Sequence, residues 1–346
     1  MSVSKLNKQQ FGQFVDAILA AGRKVVGVVA KNDRFVFNTL KSAKDLRLDY
    51  DVTILSPRKY VLPQVEPLLT FEVGGDAKSV KQNEPMILLG IHPYDLIAIN
   101  QMDELFSEGE YDTHYMDRRK NITLVACDVA KASKNVFASS METAVADKGY
   151  DILITDIGDA YLLDAATEKG QALMAYAKGA AAATAEDLKK RNAIQEANKT
   201  GLNKHKLNCK PSYLPKLMET AYNHPVWEEK ARLCYSCGSC NQVCPTCYCF
   251  DVQDRVNWDL KTGTRVRCWD GCLLENFATV AGNHNFRKDR SARFRHRLYR
   301  KAKYVPEKIG GQIACVGCGR CVTACTADIA NPVTVYNRLM EERTIG

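Results

Sequence analysis

Phe11, Phe14, Val15, Ile18 and Leu19 recur at helical spacing and predict an amphipathic helix over residues 9–21. The valine-rich run Lys24 to Ala30 follows and reads as a strand. Further short apolar runs, Val52 to Leu55, Met86 to Gly90, Ile122 to Ala126 and Asp151 to Thr155, are separated in part by helical stretches such as Pro93 to Leu105. That rhythm predicts an α/β N-terminal domain with a mixed sheet. Ala172 to Asn198, rich in Ala, Lys and Glu, reads as one or two exposed helices. Gly, Asn and Pro then gather in Thr200 to Pro215. This stretch marks the expected boundary between an N-terminal domain over residues 1–205 and a second domain over 206–346.

Composition narrows the class. The chain has 346 residues, 46% apolar and 25% charged, enough to bury two cores and unlike a disordered chain. Its best membrane candidate, Met86 to Asn100, is 15 residues long and interrupted by His92, Pro93, Tyr94 and Asp95. That is too short and too polar to span a bilayer. The first residues lack the basic, apolar and cleavage-site layout of a signal peptide, so a cytoplasmic protein is expected.

The cysteines change the picture. Of fourteen, only Cys127 lies in the first 200 residues; thirteen lie between Cys209 and Cys325. Disulfides are out of place in a reducing compartment, which leaves metal ligation as the better account. Two motifs stand out: Cys234-x-x-Cys237-x-x-Cys240-x-x-x-Cys244-Pro245 and Cys315-x-x-Cys318-x-x-Cys321-x-x-x-Cys325. Three thiolates spaced by two residues wrap three irons of one cubane, and the fourth cysteine reaches the other cubane. The pattern predicts two [4Fe–4S] clusters. One takes Cys234, Cys237, Cys240 and Cys325, the other Cys315, Cys318, Cys321 and Cys244. Zinc is the alternative, but structural zinc uses paired rather than triplet spacing. Cross-ligation staples distant segments, so the metal-free protein is expected to lose this domain's fold.

Seventy residues separate Cys244 from Cys315, and Leu273 to Ala281 and Ser291 to Lys303 within them are helix-prone. This resembles the α-helical ferredoxin type of fumarate reductase iron–sulfur subunits and heterodisulfide reductases. The resemblance implies a mainly α-helical dicluster ferredoxin domain. Four more cysteines, Cys247, Cys249, Cys268 and Cys272, are either a third metal site or reduced thiols packed beside the clusters, the second being the plainer reading.

The formal charge is +8. Two clusters with their thiolates, each ~−2 when oxidised, would bring it to about +4. The basic stripe Arg287, Lys288, Arg290, Arg293, Arg295, Arg297, Arg300, Lys301 and Lys303 lies between the motifs. Balancing anionic clusters, or meeting an acidic partner, accounts for it better than nucleic acid does. His224 and His284 read as structural hydrogen-bonders. No dinucleotide loop, phosphate loop, nickel–iron C-x-x-C pair or H-E-x-x-H motif occurs, so neither NAD nor flavin is expected on this chain.

Cys244-Pro-Thr-Cys-Tyr-Cys-Phe-Asp251, Trp269-Asp-Gly-Cys272, Phe277 to His284 and Lys301-Ala-Lys-Tyr304 are similar to strings in β subunits of soluble sulfhydrogenases ([NiFe] hydrogenases) and in the A subunit of anaerobic sulfite reductase. Ser56 to Tyr60 with Pro63 and Glu66, Gly90 to Asp95, Ala98, Asp103, Asp112, Tyr115, Arg118, Arg119 and His224 to Trp227 extend the resemblance over most of the chain. It implies four further N-terminal cluster cysteines, at positions occupied here by Tyr94, Cys127, Val136 and Ala138. One ligand in four cannot hold a cubane, so no N-terminal cluster is expected. The function implied is electron transfer in a cytoplasmic complex, between a flavin subunit reacting with NAD(P)H and a catalytic subunit. That partner is a hydrogenase, a sulfite reductase or a heterodisulfide-reductase-like module. Two alternatives stay open: cluster-edge disulfide or sulfur chemistry by the spare cysteines, and a structural docking scaffold.

Overall fold

The computed structural model describes residues 3–343. Its N-terminal body is an eight-stranded mixed sheet. The strands are β1 (Ser4–Asn7), β2 (Val25–Lys31), β3 (Arg34–Thr39), β6 (Met86–Ile91), β7 (Ile122–Cys127), β8 (Ile152–Asp156), β9 (Ala160–Ala165) and β10 (Ala181–Ala182), in the order β10-β1-β9-β8-β7-β6-β2-β3. The pairs β2–β6, β6–β7 and β7–β8 are parallel, and the flanking pairs are antiparallel. The parallel strands are apolar on both faces because helices cover them, as their continuous Ile, Leu and Val content requires. Asn7 starts the helix Lys8–Ala20 through a capping box with Gln10. Pro93 opens the helix Pro93–Ser107 in its first turn. Val52 to Leu55 forms no strand; only an isolated bridge ties Thr53 to Phe35.

A second, four-stranded antiparallel sheet joins the two halves of the chain. It takes β4 (Val65–Glu72) and β5 (Ala77–Ser79) from the first half, and β11 (Phe250–Val256) and β12 (Thr262–Trp269) from the second, in the order β11-β12-β4-β5. The second domain, expected to be mainly α-helical, therefore carries strands beside its helices. The spacer between the cysteine motifs begins with a hairpin, and Leu273 to Ala281 holds only a short 3₁₀ turn, Glu275–Ala278, leading into a two-residue strand. The hairpin escaped the sequence reading because β11 is exposed along its whole length and its alternation of Phe250, Val252 and Val256 is broken by Asp254. The predicted late helix is present as Arg290–Tyr299, continuing as a π turn over Arg300–Tyr304. It packs with Leu214–Thr220, Val226–Leu233 and Pro332–Arg343 around Trp227, Phe294, Leu298, Tyr299 and Tyr336.

Buried ions lock this arrangement. Arg267 on β12 donates to Glu66 on β4 at 2.6 and 3.0 Å, and Arg118 pairs with the other Glu66 oxygen. Asp112 pairs with Arg267, while Asp103 accepts from Tyr115 and Arg119 at 2.7 and 2.9 Å. Glu66 and Asp95, two of the positions that carried the family resemblance, are thus the buried anions between the chain's halves.

Candidate iron–sulfur centre

Each motif folds into the same local shape. After the second cysteine, Gly238 (φ 73°) and Gly319 (φ 76°) take the left-handed conformation and start the four-residue helices Ser239–Gln242 and Arg320–Thr323. At Gly319 an added Cβ would also lie 2.2 Å from the Asn135 carbonyl oxygen. The second motif is seated in the N-terminal half. Phe137 N–H donates to the Gly317 carbonyl at 2.7 Å, Thr143 Oγ1 to the Val316 carbonyl at 2.7 Å, and Gln101 Nε2 to the Ile313 carbonyl at 3.0 Å.

The eight motif cysteines line two cavities. Cys234, Cys237, Cys240 and Cys325 line one, with Leu273, Phe294 and Ile329 among its walls. Cys315, Cys318, Cys321 and Cys244 line the other, with Pro245, Arg297 and Lys301. Neither cavity is lined by a carboxylate or histidine. Among the described residues, no three Cys, His, Asp or Glu side chains close on a single ion. A structural zinc needs its sulfurs about 2.3 Å from one centre. Two separate sites, each lined by four cysteines and no other ligand type, fit four-iron groups instead.

Exposure differs between the cavities. Cys237 is exposed, and the Ser239 hydroxyl 3.3 Å away lowers its thiol pKa. Burial pushes Cys240 and Cys315 up to about 12, and Cys318 up as well. Burial is the largest influence on Cys244 and raises it, but Lys301, the Thr246 hydroxyl and Arg297 together lower the thiol on balance. Backbone N–H groups of Ser236 and Ile329 donate to Cys234 and Cys325 sulfurs, each at 3.4 Å.

The basic stripe is turned inward. Arg293, Arg297 and Lys301 follow one another at four-residue spacing and are buried, while Arg295, Arg300 and Lys303 beside them are half-buried. Arg297 borders the cavity of Cys244, Cys315, Cys318 and Cys321. Burial works against its charge, but Cys240, Cys321, Cys244 and Cys272 hold it cationic. Lys301 donates to Thr246 Oγ1 at 2.6 Å, and that hydroxyl donates to the Ala314 carbonyl at 2.6 Å. Sequence reasoning missed Thr246, because nothing in Pro-Thr-Cys marks a hydroxyl bridging two motifs. His224 is structural: its Nδ1 accepts from Val226 N–H at 3.1 Å. His284 is exposed beside Phe286 and lines neither cavity.

Of the four spare cysteines, three come together. Cys247, Cys249 and Cys272 line a third cavity with Asn241, Arg297, Arg300 and Lys301, whereas Cys268 stands apart on β12 and accepts from Arg255 at 3.3 Å.

Residues 233–329 match the family model of the 4Fe-4S dicluster domain. Over 353 aligned residues the chain is 32% identical to sulfhydrogenase 2 subunit beta of Pyrococcus furiosus, covering 99% of both proteins. The chain belongs to the sulfhydrogenase β-subunit family. No solved structure matches. No helix among the described residues of this family member is long and apolar enough to cross a membrane. The four positions matched to N-terminal cluster ligands are adjacent in it: Tyr94, Val136 and Ala138 pack in one apolar cluster with Cys318, and Cys127 lies close enough to bear on Tyr94. Burial pushes the Cys127 thiol well up.

Proposed function

We propose that this chain is the iron–sulfur electron-transfer subunit of a cytoplasmic hydrogenase-type complex. In this reading it relays single electrons between a flavin subunit reacting with NAD(P)H and a catalytic oxidoreductase subunit. The observation that carries the reading is the make-up of the two cavities. Each combines the first three cysteines of one motif with the fourth cysteine of the other. Bound there, each [4Fe–4S] group would supply a one-electron centre. The residues of the chain do the rest. Cys234, Cys237, Cys240 and Cys325 hold one group, and Cys315, Cys318, Cys321 and Cys244 hold the other. Apolar walls of Leu273, Phe294 and Ile329 exclude water from the first. Arg297 and Lys301 offset the anionic charge of the second.

The exposed Cys237 makes its cavity the side at which a partner's centre approaches, while the Cys318 side is enclosed by the N-terminal sheet domain. That domain serves as support and docking body. Anaerobic purification followed by iron and sulfide analysis tests the proposal. It predicts about eight irons per chain and reduction by dithionite. Iron near four, stoichiometric zinc, or clusters that dithionite leaves oxidised would overturn it.

A further inference from the structure

Cys247, Cys249 and Cys272 are all buried, and the Cys249 thiol hydrogen-bonds with both of the others. Asn241 Nδ2 spans the far side, donating to Cys247 Sγ at 3.6 Å and Cys272 Sγ at 3.5 Å, while its buried Oδ1 has no partner. Arg297, Arg300 and Lys301 line the same small cavity. Three buried thiols facing three cations are more than a packing solution: apolar residues would fill this space without a desolvation cost. The site also abuts the cavity of Cys244, Cys315, Cys318 and Cys321, sharing Arg297 and Lys301 with it.

The backbone favours one pair. Phe250 and Trp269 form the last register pair of the β11–β12 hairpin, and Asp270 N–H donates to the Cys249 carbonyl at 3.1 Å. Cys249 therefore sits opposite Asp270 at the hairpin base, with Cys272 two residues further along the returning chain. Cys247 and Cys249 are only two residues apart, a separation that strains a disulfide. The hydrogen bond from Cys249 lowers the Cys272 thiol, which suits the attacking sulfur.

We propose that Cys249 and Cys272 form a reversible dithiol–disulfide couple that exchanges two electrons with the adjoining iron–sulfur pair. The inference rests on the relay reading above. On oxidation two S–H bonds break and one S–S bond forms. Two protons pass to solvent, and two electrons pass singly to two oxidised [4Fe–4S] acceptors. Cys247 and Asn241 stay unchanged and hold the pair in position.

Coulometric reduction of the anaerobic, oxidised holoprotein tests this, with iron counted in the same samples. The expected uptake is about four electrons per chain, two for the clusters and two for the disulfide. Cys249→Ser and Cys272→Ser should take about two with iron unchanged, and Cys268→Ser about four. Alkylation and peptide mapping of the unsubstituted protein should find Cys249 linked to Cys272 only in the oxidised sample; this stands even if the serine variants fold poorly. Full iron with about two electrons and no linked peptide, or a link between other cysteines, overturns the couple while leaving the relay intact. An unsubstituted chain that binds no iron contradicts both.

Discussion

Arg320 grips Asp95 with both terminal guanidinium nitrogens, each 2.6 Å from a carboxylate oxygen, and both side chains are buried. Arg320 sits inside the second cysteine motif and Asp95 in the first turn of the helix Pro93–Ser107. The same guanidinium donates to the Thr53 carbonyl and hydroxyl at 2.9 Å each. One arginine therefore fixes the Cys318–Cys321 loop to three points of the N-terminal half. Asp95→Asn leaves that cation buried without its counter-charge. It should cost roughly 3–5 kcal/mol of stability and lower iron occupancy. Denaturant unfolding of the holoprotein with parallel iron analysis checks both.

Glu66 carries a comparable role in the second sheet, lying between Arg118 and Arg267 with no exposed surface. Glu66→Gln strands two guanidinium groups and should cost about 3–5 kcal/mol. Because β12 pairs with β4 at this point, the loss should appear first as faster amide exchange along β11 and β12. Unchanged exchange there would mean the hairpin is held by its backbone bonds alone.

Arg297 contributes positive charge beside cysteines of both motifs. Arg297→Met keeps much of the volume and removes the charge, which makes adding an electron nearby less favourable. Both midpoint potentials should fall, by roughly 60 mV for each 1.4 kcal/mol of lost interaction. Redox titration followed by visible absorbance or paramagnetic resonance measures the shift. Unaltered potentials would reduce Arg297 to a structural hydrogen-bond donor.

Cluster retention should weaken as pH falls. Burial holds Cys240 and Cys315 up near 12, so without metal both are thiols at neutral pH, and loading must expel their protons. Acid supplies those protons and favours release. Iron loss to a chelator should therefore be faster at pH 6 than at pH 8, in the holoprotein under argon, and equal rates would contradict the expectation.

The chemistry was far more legible than the architecture around it. Eight cysteines at fixed offsets announce their grouping because the spacing itself is the ligand geometry. Lys24 to Ala30 and Ile122 to Ala126 became β2 and β7 because fully buried parallel strands are simply apolar. The β11–β12 hairpin was missed for the opposite reason: on an exposed ribbon, Asp254 breaks the short alternation of Phe250, Val252 and Val256. The basic stripe reads as balancing anionic clusters or meeting an acidic partner, but its sequence cannot show which of its members, here Arg293, Arg297 and Lys301, turn inward. The convergence of Cys247 and Cys249 with Cys272, more than twenty residues on, depends on that unseen hairpin bringing the chain back.

Cross-ligation is the centre of the account, and reduced-state paramagnetic resonance of single cysteine variants tests it most directly. Cys325→Ser should lose or alter the same signal as Cys234→Ser, and Cys244→Ser the same signal as Cys318→Ser. If Cys325→Ser instead groups with Cys318→Ser, each motif binds its own cluster and the account fails.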